Sequence, residues 1–157
     1  MMFTLISNKA VSQTATANAI ATVKVASSFT IIKKVDLNFG TVSASPQAGM
    51  IKLSTDGTTI VNGGVTIIDS SLISPASFQV NGPADTSFSI GLPGWIGLRN
   101  EQNQEVDLYE IISNPSGNGL LDSTGKAILL VGASITVDAN QGEGIYQGNI
   151  EVTVNLN

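Results

Sequence analysis

Strict alternation of apolar and polar residues marks the beginning of the chain. From Thr14 to Val25 every second residue is small and apolar, and these residues are Ala15, Ala17, Ala19, Ala21, Val23 and Val25. A period of two places them on one face of an extended strand. Alanine is a poor strand former by itself, so this predicted strand needs a partner surface to stay extended.

The C-terminal segment shows the same alternation and is the longest regular predicted strand after Thr14–Val25. One face of this predicted strand holds Tyr146, Gly148, Ile150, Val152, Val154 and Leu156. The residues between them are polar. Two interpretations stay open. The strand 14–25 either pairs with this strand of its own chain, or it leaves its domain as a donor strand and completes a neighbouring copy.

Short strands and turns fill the space between the two termini. Val35–Val42 predicts a half-buried strand with a bend at Gly40, and Asp56-Gly57 is a hairpin turn signal. The apolar residues of Lys126–Val131 form an uninterrupted run, which predicts a central strand. No stretch has sustained helical periodicity. The pattern therefore predicts an all-β, antiparallel β-sandwich, Ig-like or jelly-roll-like, in a single domain over residues 13–157.

The first twelve residues do not continue the strand pattern. Phe3, Leu5 and Ile6 are typical of the end of a signal-peptide apolar region, and Ala10-Val11-Ser12 matches a cleavage site before Gln13. Residues 1–12 are therefore predicted to be a signal-peptide remnant or, alternatively, an ordered N-terminal extension. No apolar run approaches the roughly 20 residues of a membrane-spanning helix.

Composition narrows the possible chemistry. The chain has no cysteine and no histidine, which removes disulfides, thiolate nucleophiles and zinc-thiolate sites as well as the commonest general base. Charged residues are only 12% of the chain, against about 25% in ordinary domains. We expect no enzymatic activity, no catalytic residues, no cofactor and no metal.

Charge is unevenly spread along the chain. Up to Leu53 there are five lysines and one acid, a net charge of +4, while the rest has two basic and eleven acidic residues, a net charge of −9. An acidic chain with dispersed lysines is not expected to bind nucleic acid. The asymmetry favours head-to-tail contact between copies, although scatter over solvated faces is the simpler interpretation.

Two further groups of residues are candidates for binding. Glu101, Glu105, Asp107 and Glu110 lie close in sequence to Trp95 and Tyr109, which is typical of a sugar-binding face or, with two facing acids, of a glycosidase. A solvated strand face explains the same acids. The loop Asp138–Gly144 offers oxygen ligands for calcium, but its residues are equally expected in a hairpin loop.

Several segments together carry a resemblance to a known family. They are the alternating start, DLNFGTV at Asp36–Val42, SPASFQVNG at Ser74–Gly82, and the closing segment Ile128–Asn157. In order and spacing they resemble DUF4402, a family of exported bacterial β-sandwich proteins without assigned catalytic residues. The chain is more distantly similar to spore-coat-type and fimbrial subunits that are assembled by periplasmic chaperones and outer-membrane ushers.

The resemblance implies a function. In those subunits an N-terminal extension with alternating apolar residues fills the groove of the next subunit, although many carry a disulfide that this chain lacks. We therefore expect a secreted structural protein of the bacterial cell surface, a fimbrial or pilus-like subunit that forms a homopolymer with itself. A periplasmic chaperone and usher are the implied partners. The alternative is a monomeric surface module for adhesion or glycan binding.

Overall fold

The computed structural model describes residues 15–26 and 28–157. Every strand pairing in it is antiparallel. The twelve strands are β1 (Thr30–Val35), β2 (Thr41–Ser43), β3 (Gly49–Leu53), β4 (Thr59–Gly63), β5 (Thr66–Asp69), β6 (Ala76–Asn81), β7 (Ser87–Gly91), β8 (Trp95–Arg99), β9 (Glu105–Asn114), β10 (Asn118–Leu120), β11 (Lys126–Val137) and β12 (Thr153–Leu156). Within the described ranges, no helix has the length and apolar character needed to cross a membrane.

The long strand β11 is the centre of a seven-stranded sheet. Along one edge its first half pairs with β6 and its second half with β3, while β9 pairs along the opposite edge. The sheet then continues from β6 to β1, from β3 to β4 and from β9 to β8. Gly132 lies where β11 changes its pairing partner from β6 to β3. A Cβ atom on Gly132 would be 2.4 Å from the carbonyl oxygen of Leu53. A side chain there would prevent the close approach of β3.

A second layer covers the inner face of this sheet in two separate pieces. One piece is the three-stranded sheet β10-β7-β12, and the other is the pair β2-β5. Alternate residues of β11 face both pieces, since Leu129 and Val131 lie in one core cluster and Ala133, Ile135 and Val137 in the other. The protein is thus an all-β, antiparallel sandwich in one domain, which confirms the predicted fold class.

Local predictions from the sequence hold with changed boundaries. The apolar run from Lys126 is central, but its strand extends to Val137. Gly57 adopts a φ of +87° in the turn between β3 and β4. The predicted strand 35–42 is instead broken between β1 and β2. The side chain of Asn38 accepts the N–H of Gly40 at 2.7 Å, and the φ of +77° at Gly40 turns the chain.

The predicted strand 14–25 does not form within the described residues. Residues 15–26 have no regular secondary structure and are exposed, and the side chains of Ile20, Val23 and Val25 are 94%, 83% and 88% exposed. In the single chain this segment is unpaired, and alternating alanines gain little from being extended without a partner edge. The donor strand stays a prediction. Thr14 and the predicted leader, residues 1–12, lie outside the described residues.

The predicted C-terminal strand is also shorter than expected. Regular pairing covers only Thr153–Leu156, and the preceding residues make a single antiparallel bridge, between Gln147 and Arg99. The first half of this segment has a neighbour on one side only.

Candidate functional site

The C-terminal segment pairs along one edge and leaves the other edge free. Gln147 exchanges backbone hydrogen bonds with Arg99 of β8, and the N–H of Asn157 donates to Ser87 of β7. Backbone groups of a strand point alternately to either side. At these two points, the backbone groups of the segment face β8 and β7. In the described part of the chain, no backbone hydrogen bond joins residues 148–152 to another segment.

An open apolar groove lies beside this free edge, with a cavity volume of about 1520 Å³. That volume exceeds the roughly 300–1,000 Å³ of small-molecule pockets. Its rims are the segments 35–44 and 140–151. Inward-facing residues of the large sheet form its floor, and these are Ala76, Phe78, Leu98, Val106, Leu108, Ile135 and Val137. The groove interrupts the second layer, between the pair β2-β5 and the sheet that ends in β12.

The two rims run in opposite directions and meet at one end. There the N–H of Asn140 donates to the carbonyl oxygen of Ser45 at 2.8 Å. Close to this end the hydroxyl of Tyr146 donates to the carbonyl oxygen of Gly142 at 2.6 Å and accepts from the amide of Gln141 at 2.9 Å. These hydrogen bonds hold residues 140–146, the first part of this rim, in place. The sequence contained no periodic signal for this polar network.

The extension 15–26 contributes no residue to the groove lining. The extension is an unpaired segment with an alternating apolar face. The groove has an unpaired edge above an apolar floor, so the two features are complementary. Strand addition to a protein uses an unpaired edge for backbone hydrogen bonds and pockets for alternate side chains.

The predicted donor-strand face and the predicted C-terminal face have different environments in the structure. The donor-strand face, from Ala15 to Val25, is exposed. On the C-terminal face, Tyr146 and Ile150 pack against one core cluster and Val152 and Val154 against the other. Gly148 lies against β8, where an added Cβ atom would be 2.8 Å from Leu98 Cδ2, and Leu156 is partly exposed.

Residues 29–156 match a family described as a domain of unknown function, DUF4402. The chain belongs to the DUF4402 family. The matched residues include the groove floor and both rims, and the exposed extension 15–26 precedes them. No curated protein and no solved structure matches the chain. The family resemblance is confirmed, whereas the similarity to chaperone–usher subunits stays a prediction.

The acidic and aromatic residues of this DUF4402 domain lie on the outer face of the large sheet. Trp95 is directly opposite Tyr109, and Ser134 lies between Tyr109 and Lys52 in the same cross-strand row. Trp95 is 55% exposed. Glu110 has a φ of +46° at a bulge, and its carboxylate accepts the hydroxyl of Ser134 at 3.0 Å.

The remaining acids of this group are dispersed. Asp107 is opposite Gly97 on the same outer face, Glu105 forms an ion pair with Arg99, and Glu101 is exposed in the turn before β9. Residues 15–26 and 28–157 contain no group of three or more His, Cys, Asp or Glu residues that could hold a metal ion. The DUF4402 domain thus offers an aromatic and polar surface here.

The candidate calcium loop is held by hydrogen bonds within the protein. The side chain of Asn100 donates to the carbonyl oxygen of Glu143 at 3.4 Å and to Gln104 at 2.8 Å. The N–H of Asp138 donates to the side chain of Gln141 at 3.2 Å. Asn140 of this loop lies where the two groove rims meet, through its hydrogen bond with Ser45.

Proposed function

We propose that this protein is a structural subunit of the bacterial cell surface that assembles with copies of itself by strand addition. Residues 15–25 of one copy insert into the groove of the next. One observation carries the proposal: the same chain has an unpaired, alternating apolar segment and an unpaired strand edge beside an apolar groove.

Physical chemistry favours such an insertion. The inserted strand gains backbone hydrogen bonds along the free edge, each worth about 0.5–1.5 kcal/mol net. Full burial of a valine adds roughly 1.5–3 kcal/mol, and Val23 and Val25 are both strongly exposed in the single chain. Several such contacts together can offset the ~4–15 kcal/mol cost of association.

Charge supports the same assembly. Lys24 is the only charged residue of the segment 15–26, and the rim 140–151 carries the exposed acids Glu143 and Glu151. Opposite charges on the two surfaces steer encounter and disfavour wrong pairings. This complementarity agrees with the charge asymmetry along the sequence.

The cellular setting of the proposal follows from the resemblance. A subunit with an open groove and a free strand edge is prone to aggregation before it assembles. A periplasmic chaperone that covers the groove, and an outer-membrane usher that releases the subunit, would solve this problem. We accordingly place the assembled protein outside the bacterial cell.

Deletion and peptide complementation test the proposal. Full-length protein should form ladders that resist mild SDS and collapse to monomer on boiling, whereas protein lacking residues 13–25 should remain a monomer. A synthetic peptide of residues 13–26 should bind the deleted protein saturably and raise its melting temperature. A peptide of the same composition with the alternation scrambled is the control. A full-length protein that stays monomeric at high concentration would overturn the proposal.

A second function is favoured by the outer face of the large sheet. The exposed Trp95 beside Tyr109, with Lys52 and Glu110 in reach of the same surface, is an arrangement suited to a sugar ring and its hydroxyl groups. A glycan-binding module would use this face whether or not the chain polymerises. Binding on a glycan array that is lost in Trp95→Ala would establish this function.

A further inference from the structure

We infer that the edge strand β4 is a second self-association site, at which the β4 strands of two copies pair antiparallel about a two-fold axis through Val61. The contact does not use the groove, so it goes beyond the proposed function. It extends the large sheet of one copy into the large sheet of the other by strand addition.

The large sheet ends in three outer strands, β1, β4 and β8, and two of them are protected against pairing with another chain. Strand β1 carries Lys33 and Lys34, and its register with β6 shifts between Lys33 and Val35. Lysines and bulges on an edge strand oppose edge-to-edge pairing. The edge of β8 is occupied at Arg99, which exchanges backbone hydrogen bonds with Gln147. Both edges are thus interrupted.

Strand β4, Thr59–Gly63, has neither kind of protection. It contains no charged residue and no proline, and its register with β3 is regular over all five residues. Within the described residues, β4 pairs only with β3. Ile60 and Val61 are 49% and 39% exposed. A regular, uncharged edge strand with exposed β-branched residues is a template for another strand.

The regular register determines which backbone groups of β4 face the free edge. The N–H of Ser54 donates to the carbonyl oxygen of Thr58 at 2.9 Å. The N–H of Gly64 donates to the carbonyl oxygen of Ala48 at 3.0 Å. The even-numbered residues of this segment therefore direct their backbone groups to β3. Because backbone groups alternate between the two sides of an antiparallel strand, three residues direct theirs to the free edge: Thr59, Val61 and Gly63.

These three residues select one register between two copies. When Val61 is opposite Val61 of the second copy, Thr59 is opposite Gly63, and the outward backbone groups of both strands meet over the full length of β4. A shift by one residue would set outward groups against groups that are already bonded to β3. A shift by two residues would leave the end of each strand unpaired. The pairing is therefore centred on Val61.

The side chains fit the same arrangement. Val61 is opposite the core residue Ile51 on β3, so its side chain lies on the inner face of the sheet, where it is nevertheless 39% exposed. In the pair, the two Val61 side chains contact each other and cover this exposed part. Thr59 lies beside Gly63 of the second copy, which has no side chain to clash with it. Each copy thus extends the core of the other.

Charge selects the antiparallel direction and a second copy as the partner. Asp56 lies in the turn before β4. A parallel, in-register pair would set the two Asp56 carboxylates side by side, and like charges directly opposite each other destabilise a sheet. The antiparallel pair separates them to opposite ends. An uncharged strand meets no like charge in its own copy, and two-fold pairing closes after two chains.

The contact is small. It contains five residues from each copy, against roughly 20–30 residues a side in a standard interface. We therefore expect a weak, reversible dimer that dissociates in SDS. The SDS-resistant ladders of the proposed assembly do not report on this contact, so the two associations can be tested separately.

Sedimentation of the full-length Val23→Asp variant tests the contact, because this change is expected to block the groove contact and leaves β4 unaltered. Between about 10 µM and 1 mM protein, the average mass should rise reversibly toward that of a dimer. Adding Val61→Lys sets two like charges opposite each other and should raise the dissociation constant by about tenfold or more. Ile128→Lys is the matched control. Ile128 is 55% exposed on the outer face of β11, and a lysine there should leave the constant unchanged.

Cysteine cross-linking gives a second measurement that does not depend on the folding of the lysine variant. The natural chain has no cysteine. In the Val23→Asp background, Val61→Cys should form a disulfide between two copies on mild oxidation, about tenfold faster than Ile128→Cys. Faster oxidation of Ile60→Cys than of Val61→Cys would overturn the register, because Ile60 is opposite itself only after a shift by two residues.

Two results would overturn the β4 contact as a whole. One is a Val23→Asp protein that stays monomeric up to 1 mM with no excess of the Val61→Cys disulfide. The other is a dimer whose dissociation constant is the same with Val61→Lys as with Ile128→Lys. The ladders of the natural protein are a separate result, so the β4 contact can fail while the proposed function stands, and the reverse.

Discussion

Gln147 and Arg99 exchange both of their backbone hydrogen bonds, at 3.0 and 2.9 Å. This isolated bridge attaches the segment to β8 of the large sheet, whereas β12 pairs with β7 of the three-stranded sheet. It therefore determines which edge of the C-terminal segment is occupied and which is free. The free edge borders the groove, and from this relationship we infer a site that accepts a strand.

The apolar face of the extension should control assembly without affecting the single chain. Val23→Asp places a charge in the groove, and a buried unpaired charge is strongly unfavourable. We expect loss of the SDS-resistant ladders. Because Val23 is 83% exposed in the single chain, the melting temperature of the monomer should not change. Gel electrophoresis without boiling and calorimetry measure the two effects.

Thr22→Asp is the matched control for this prediction. Thr22 is adjacent to Val23 in the sequence and lies on the opposite, polar face of the inserted strand. The same charge there remains in water, so ladders should persist. Equal loss of ladders in both variants would contradict the alternating insertion.

Side-chain size along the extension should matter in a graded way. Val23→Ala removes contacts from the open part of the groove, so we expect peptide 13–26 with this change to bind the deleted protein several-fold more weakly. Thr22→Ala, on the opposite, polar face of the segment, should leave binding unchanged. Titration calorimetry measures both affinities. Equal weakening by the two changes would contradict insertion of the apolar face into the groove.

The packing of Gly119 against Phe88 should be sensitive to a single methyl group. A Cβ atom on Gly119 would be 2.3 Å from Phe88 Cζ, and Phe88 is fully buried. Gly119→Ala should destabilise the protein by about 1–3 kcal/mol through overpacking, as measured by denaturant unfolding. Gly94→Ala is the control, since nothing lies within 4 Å of its added Cβ atom. A similar loss in both variants would point to backbone entropy and contradict the packing explanation.

Acid should weaken the turn that leads into β11. The hydroxyl of Thr124 and the N–H groups of Thr124 and Lys126 donate to Asp122, and these hydrogen bonds lower the pKa of its carboxyl below its ordinary value. A pKa that is lower in the folded state contributes stability above the unfolded pKa, and this stability is lost as the pH falls through the folded pKa. The melting temperature should therefore fall below about pH 4, and less steeply in Asp122→Asn.

Asp107→Asn serves as the control for the acid prediction. Among residues 15–26 and 28–157, no hydrogen bond to the Asp107 carboxyl is present. This variant should keep the steep acid dependence of the natural protein. If Asp122→Asn has the same pH profile as Asp107→Asn, the turn does not contribute to acid sensitivity.

Assembly and the aromatic face should be separable. Trp95 lies on the outer face, whereas the neighbouring Ile96 and Leu98 pack in the core. Trp95→Ala should leave the ladders intact and reduce any glycan binding at least tenfold. Tyr146→Phe, on the groove rim, is the matched aromatic change and should leave glycan binding unaffected. Loss of ladders in Trp95→Ala would place this face in the interface between subunits.

The sequence alone determined the fold class, because period-two patterns and turn residues depend on local geometry. It also indicated both apolar faces that the proposed assembly uses, from Ala15 to Val25 and from Tyr146 to Leu156. The sequence alone did not determine whether these two faces meet within one chain. Alternation indicates to which face of a strand each side chain points. It does not indicate which edge of that strand is already paired.

Only the tertiary structure decided that question. The Gln147–Arg99 bridge occupies one edge of the C-terminal segment, and the exposed extension leaves the other edge open. The groove itself arises from three distant parts of the chain, the rims 35–44 and 140–151 and the inner face of the large sheet. Such a surface depends on long-range pairing, which the local periodicity of a sequence does not encode.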